Sequence, residues 1–176
     1  MKTALETLTK VLIEGKFPIL LIGGYALQAH GVVRQTLDVD CLIAESSSKN
    51  LENILSKLGY RVKARTSNFI RFTHSSAFLE DVDVLLVDES TFDEMIKMSS
   101  NFVSGVVQWR VPCLSHLIAL KLHAVKNNPD RELRDLADII TVLKNNPGSL
   151  SKSEINNLCL KYGPEGIYSK LEKALQ

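Results

Sequence analysis

The hydrophobic pattern of the chain changes period near residue 110, and that change limits the fold more than any other feature. Before it, short apolar runs of strand length alternate with helical repeats. Pro18 to Ile22, Leu37 to Ala44, Tyr60 to Arg65, Phe69 to His74, Glu80 to Val87 and Val106 to Val111 read as strands. Between them, Leu5, Leu8, Val11 and Leu12 share a helical face that stops at Gly15. A short helix, Ala26 to His30, closes at Gly31, and Phe92 to Met98 reads as another. Leu51, Ile54, Leu55 and Leu58 have strict helical spacing, with Ser48 as N-cap and Gly59 as C-cap. Past residue 110 only helical spacing remains. Leu114, Leu117, Ile118, Leu122 and Val125 make one stripe. Leu133, Leu136, Ala137, Ile140 and Leu143 make the next, after the Asn128-Pro129 start signal. Ser151 and Glu154 form a capping box for a third helix, and a last one follows Gly163-Pro164. The expected fold is therefore α/β (α+β): a mixed sheet flanked by helices over residues 1–110, and a helical C-terminal part over 111–176 packed on it.

Composition narrows the functional classes. The 176 residues are 45% hydrophobic and 23% charged, enough for an ordinary core. A formal net charge of +1 provides no global field toward nucleic acid or an anionic bilayer, although a local basic strip would suffice for RNA. Cys41, Cys113 and Cys159 are odd in number and lack zinc-type spacing, so reduced thiols are expected. The N-terminus carries charges through its apolar positions, and no apolar run is longer than the four residues Ile19 to Ile22. The expectation is a cytoplasmic protein with no membrane partner.

The chemistry is concentrated in Asp38-Val39-Asp40. On a strand, residues two apart project from one face, so both carboxylates stand close together. Two such groups repel unless a cation lies between them. Magnesium or manganese suits an all-oxygen site. Asp81-Val82-Asp83 repeats the spacing at the head of an apolar strand. Either pair alone is an ordinary turn or solvent-facing feature; two pairs on two strands after a glycine turn point to a metal site. That turn is Gly23-Gly24, between a buried strand and a helix, where backbone amides can approach phosphate. It fits neither the dinucleotide fingerprint nor a Walker loop.

Taken in order, these residues resemble a known group. The run Leu21 to Ala44, LIGGYALQAHGVVRQTLDVDCLIA, is similar to the signature of polymerase-beta-type nucleotidyltransferases. There a Gly-Gly or Gly-Ser turn precedes an Asp-x-Asp strand and a third Asp follows on a neighbouring strand. The Arg34-to-Asp40 form, and Val111 to Leu143 with a helix lysine and an Arg-x-x-x-Asp-x-x-Asp stretch, most resemble the bacterial AbiEii-type toxins of toxin–antitoxin systems. The resemblance spans residues 18 to 143. It implies that Asp38, Asp40 and Asp83 ligate Mg2+ (or Mn2+), with Asp83 as general base. It implies that Gly23 and Gly24 hold phosphate, that Lys121 is the helix lysine at the NTP and that Asp135 is a catalytic acidic residue; Arg34 and Thr36 are expected beside the nucleotide, and Tyr25 either stacks on its base or is a core aromatic. The implied acceptor is an RNA end, a protein or a small molecule, and the implied partner a cognate antitoxin. Where many members carry Ser after the first Gly, this chain has Gly24, which leaves phosphate to backbone amides.

Other signals keep two readings each. Lys121 continues the apolar stripe of Leu114, Leu117 and Ile118, so its ammonium meets a triphosphate, pairs with Asp135, or lies at the stripe edge in water. Arg34 pairs with Asp38 or touches phosphate. Arg61, Lys63 and Arg65 share a strand face with Arg71 on the next strand, as an RNA or pyrophosphate guide or as a solvated face. Arg131 with Asp135, and Arg134 with Asp138, have the spacing of helix ion pairs. Two rival functions remain beside transfer: a non-catalytic nucleotide- or partner-binding module, and a metal-dependent phosphohydrolase or nuclease, which the lack of clustered histidines disfavours.

Overall fold

The computed structural model describes residues 3–76, 79–104 and 107–175. The chain forms two compact units, and the division is not one cut. One unit is Met1–Ala26 with Gln35–Pro112; the other is Leu27–Arg34 with Cys113–Gln176.

In the first unit, α1 (Ala4–Leu8) starts at Thr3, where Thr3 and Glu6 form a capping box, and runs on as a π-helical turn over Thr9–Ile13. Leu5, Leu8 and Leu12 are buried. β1 (Leu20–Leu21) is shorter than the expected Pro18 to Ile22, because its ladder pairs only Leu20 with Leu42 and Leu21 with Cys41. α2 (Gly23–Ala29) starts at the glycines themselves rather than at Ala26. β2 (Asp38–Ala44) follows, then α3 (Ser48–Lys57). Ser48 does not cap α3 with its side chain; a 3-10 turn over Glu45–Ser47 leads in, and the Ser48 amide donates to Glu45. β3 (Tyr60–Arg65), β4 (Phe69–His74), β5 (Asp81–Val87) and α4 (Glu89–Lys97), capped by Asp88, lie close to their expected bounds. β6 (Ser100–Ser104) was not signalled, because Ser-Asn-Phe-Val-Ser carries too few apolar residues. It forms a hairpin with β7 (Val107–Val111), in which Phe102 faces Trp109. The expected start of β7 at Val106 lies outside the described residues.

The main sheet has the order β1-β2-β5-β4-β3. Only β2 and β5 run parallel; every other pairing is antiparallel. Val39, Cys41, Ile43, Val82, Val84, Leu86, Ile70 and Phe72 are buried on the alternating core positions, with α3 beside β3 and α4 beside β2. This mixed sheet flanked by helices matches the expected fold class.

The second unit contains α5 (Leu114–Asn127), α6 (Glu132–Asn145), α7 (Lys152–Tyr162) and α8 (Ile167–Leu175). α5 packs on α6 and α7, and α8 packs on the same two. The Ser151–Glu154 capping box is present at α7. Leu27–Arg34 joins this unit through its main chain: the Asn146 amide donates to the His30 carbonyl at 2.8 Å and Asn145 to that of Gly31 at 2.7 Å. The inward face of α6 differs from the apolar stripe expected. Asp135, Asp138, Ile139, Val142 and Leu143 are buried, while Leu133 is 86% exposed. The helix is turned so that two aspartates point inward, which costs apolar contact and requires cationic partners. Among the described residues, no helix is long and apolar enough to cross a membrane.

Candidate active site

The parallel register of β2 and β5 creates the site. Asp38 stands opposite Asp81 and Asp40 opposite Asp83. Paired positions of neighbouring strands share a face, and residues two apart do so along each strand. Four carboxylates therefore project on one side of the sheet. One oxygen each of Asp38, Asp40 and Asp83 lie within 4.8 Å of one another. Asp83 is buried, whereas Asp38 and Asp40 are half-buried. Three hard oxygen donors at that separation fit a divalent cation such as magnesium or manganese.

The segment before β2 holds two of these groups in place. Gly23 has φ +62°, and a Cβ on it would lie 1.9 Å from Asp40 Oδ2, so only glycine leaves room for the carboxylate. A Cβ on Gly24 would lie 2.7 Å from that of Thr36. Thr36 Oγ1 lies 3.0 Å from both the main-chain oxygen and Oδ1 of Asp38 and fixes that side chain. Both glycines thus serve the carboxylates through close packing, whatever their amides do for phosphate. Tyr25 is half-buried beside them, its phenol pushed up by burial and by the charges of Glu80 and Asp38.

Two cations reach the same face from the antiparallel side. Arg71 is the register partner of Asp83. It grips both oxygens, Nε donating to Oδ1 at 2.7 Å and Nη2 to Oδ2. That bond pushes the guanidinium still further up, so it stays charged. Lys63 donates to Asp81 at 3.3 Å. Hydrogen bonds from Thr73 and then Lys63 hold the Asp81 carboxyl below its usual range. The expected common face of Arg61, Lys63 and Arg65 is broken. The β3–β4 register shifts between Val62 and Ala64, which makes Lys63 a bulge residue. Beyond the bulge, Arg65 pairs opposite buried Ile70 and bonds Glu52 of α3. Sequence reasoning missed the Arg71–Asp83 fork, since strand register is a non-local fact; the nearest signal was an arginine on a strand adjacent to an acidic one.

Lys121, Asp135 and Arg34 belong to the helical unit. Lys121 is buried, and of the readings open to it the structure adopts pairing. Nζ donates to Asp135 Oδ1 at 3.1 Å and to Asp138 Oδ2 at 2.7 Å. Arg34 bonds Asp138 Oδ2 at 2.5 Å and not Asp38, because Leu27–Arg34 packs with the helices. Arg131 bonds Asp135 at 2.8 Å as its spacing implied. Arg134 lies 3.8 Å from Asp135, so the expected Arg134–Asp138 pairing gives way to Lys121 and Arg34. Burial pushes the Asp135 carboxyl up, but Arg131 and Lys121 together hold it below the ordinary value. Asp138 carried no site expectation, yet it ties Lys121 to Arg34.

No protein-family model matches the sequence, and no curated protein matches it. Solved structures do match in fold. The solution structure of the antibiotic-resistance factor ANT(2'')-Ia aligns with a TM-score of 0.69 at 17% identity, over 97% of this chain and 94% of that one. Its crystal structure with adenylyl-2''-tobramycin aligns with a TM-score of 0.60 at 14% identity, over 97% and 98%. Lincomycin-bound LnuA, a lincosamide antibiotic adenylyltransferase, aligns with a TM-score of 0.57 at 11% identity, over 79% and 96%. The chain therefore has the nucleotidyltransferase fold over nearly its whole length.

Proposed function

We propose that the chain is a metal-dependent nucleotidyltransferase that moves a nucleoside monophosphate from an NTP to an acceptor hydroxyl. The observation that carries this reading is the convergence of Asp38, Asp40 and Asp83 to within 4.8 Å on adjacent parallel strands of that fold. These three would hold the metal. Bound there, a divalent ion supplies Lewis-acid stabilisation of charge on the reacting phosphate oxygens. The acceptor oxygen attacks the α-phosphorus, the bond to the α,β-bridging oxygen breaks, and pyrophosphate leaves with the electron pair. Asp83 accepts the acceptor's proton. Thr36 keeps Asp38 oriented, and Gly23 leaves space for Asp40. We assign the triphosphate to the Gly23-Gly24 amides, with Tyr25 and Thr36 beside them. Within the helical unit, Asp135 and Asp138 hold the Lys121 side chain in place.

Two acceptor classes have support. The adenylyl-tobramycin and lincomycin complexes of the matching structures favour a small-molecule hydroxyl. The AbiEii-type resemblance of Arg34 to Asp40 and Val111 to Leu143 favours an RNA end and a toxin with a cognate antitoxin. The test is incubation with each α-labelled NTP and Mg2+, separately with total RNA, cell protein, and aminoglycosides and lincosamides. We expect label on one class, and none with Asp40→Ala. Nucleotide binding without transfer to any class would replace this reading with a non-catalytic binding module.

A further inference from the structure

Arg71 lies outside every motif that suggested the site, yet it grips the most buried of the three clustered carboxylates. We propose that Arg71 is a positioning residue that aims Asp83 at the other two aspartates and limits how tightly the cluster holds a cation. This rests on the nucleotidyltransferase reading of the same site. The planar fork of arginine matches the two oxygens of a carboxylate and fixes its plane, which an ammonium cannot do. Here the fork is itself held. Arg71 is paired in register with Asp83, and its guanidinium lies 5.9 Å from the Phe69 ring, two residues earlier on the same face of β4. The Asp83 side chain is 9% exposed against 40% for Arg71, so the carboxylate is fixed from within and the cation from the rim. A carboxylate oxygen has two acceptor positions. The fork takes one on each oxygen and leaves the others for a metal ion or a transferred proton.

Charge points the same way. Arg71 bonds Asp83 directly, and Lys63 bonds Asp81 two residues earlier on β5. Without Arg71 a positive charge at contact range of the cluster is lost, Asp83 is free to turn, and both of its oxygens are open to the metal. The cluster then binds cations more tightly and orients its base less well.

The experiment compares Arg71→Met and Arg71→Lys with the parent and with Asp40→Ala, after circular dichroism confirms folding. It reads Mn2+ affinity by electron paramagnetic resonance, and kcat and KM by label transfer. Arg71→Met should bind Mn2+ about tenfold more tightly, since a unit charge is removed at contact range. Its kcat should fall on the order of 10–100-fold, the usual effect of losing a group that orients a metal ligand, with the nucleotide KM within about threefold. Arg71→Lys should keep the parent Mn2+ affinity and still lose kcat, because it restores the charge without the fork. Unchanged or weaker Mn2+ binding in Arg71→Met, or parent turnover in Arg71→Lys, would overturn the proposal. If instead Asp40→Ala binds Mn2+ as the parent does, the metal site itself is wrong, and the underlying function fails with it.

Discussion

The sheet site and the helical ion network both cluster carboxylates, but they differ in how far those groups are open to solvent. On the sheet, Arg71 bonds Asp83 and Lys63 bonds Asp81, while Asp38 and Asp40 remain half-exposed. In the helical unit, Asp135 and Asp138 meet three close cations, Lys121, Arg34 and Arg131. The first leaves two of its carboxylates within reach of solvent. The second satisfies its carboxylates internally, and removing a member leaves an uncompensated charge in a place water barely reaches. An acidic cluster is thus a candidate binding site when it is reachable, and an element of cohesion when it is buried among its own cations.

The largest expected effect is at the first region. Asp40→Ala should reduce transfer on the order of 10⁴-fold, as for a member of a catalytic set that acts as a unit. Its melting temperature should hold, because Asp40 is a half-buried side chain outside the apolar core. A marked loss of stability would show that Asp40 holds the fold together, and the contrast would disappear. Next is Lys121→Met, expected to cost about 3–5 kcal/mol of stability, because Asp135 and Asp138 lose their shared buried cation. Denaturant unfolding measures it; a loss under about 1 kcal/mol would mean the network is a surface feature.

Acid should separate the regions more gently. The Asp135 carboxyl is held below its ordinary value of 3.8 when folded. Its contribution is present above that value and is lost as pH falls through the depressed one. Melting curves between neutral pH and pH 2 should therefore show a steeper acid loss in the parent than in Asp135→Asn. Equal slopes would remove Asp135 from the account. The smallest effect is at Cys113, just before α5. Burial raises that thiol, but hydrogen bonds from His116 and Ser115 outweigh it and bring the pKa down to about 7. Alkylation at Cys113 should rise with a midpoint near there, while buried Cys41, pushed up by burial and by Asp40, should stay unmodified. Reaction at Cys41 under the same conditions would mean that the sheet beneath the aspartates opens.

What the sequence made legible was local. The Asp-x-Asp alternation, the glycine turn and the Ser151–Glu154 box each depend on residues a few positions apart, and each appears in the structure. What it hid was set by register and by partners distant in the chain. A bulge at Lys63 turned Arg65 toward α3, a change no alternation count can anticipate. α6 was read by placing its leucines inward, but Lys121 on α5 drew Asp135 and Asp138 inward and left Leu133 outside. Arg34 precedes the acidic strand yet bonds Asp138, more than a hundred positions away. The Arg71–Asp83 fork needed the β4–β5 pairing before it could be seen.

The parallel pairing of β2 with β5 also has a consequence for how the protein is made. Parallel neighbours cannot be joined by a tight turn, and here α3, β3 and β4 intervene in the chain. During synthesis, Asp38 and Asp40 emerge well before Asp83 and wait without their neighbour. Long-range pairing of this kind is the slow part of folding. The three clustered aspartates therefore come together late, only after both of their strands have been made.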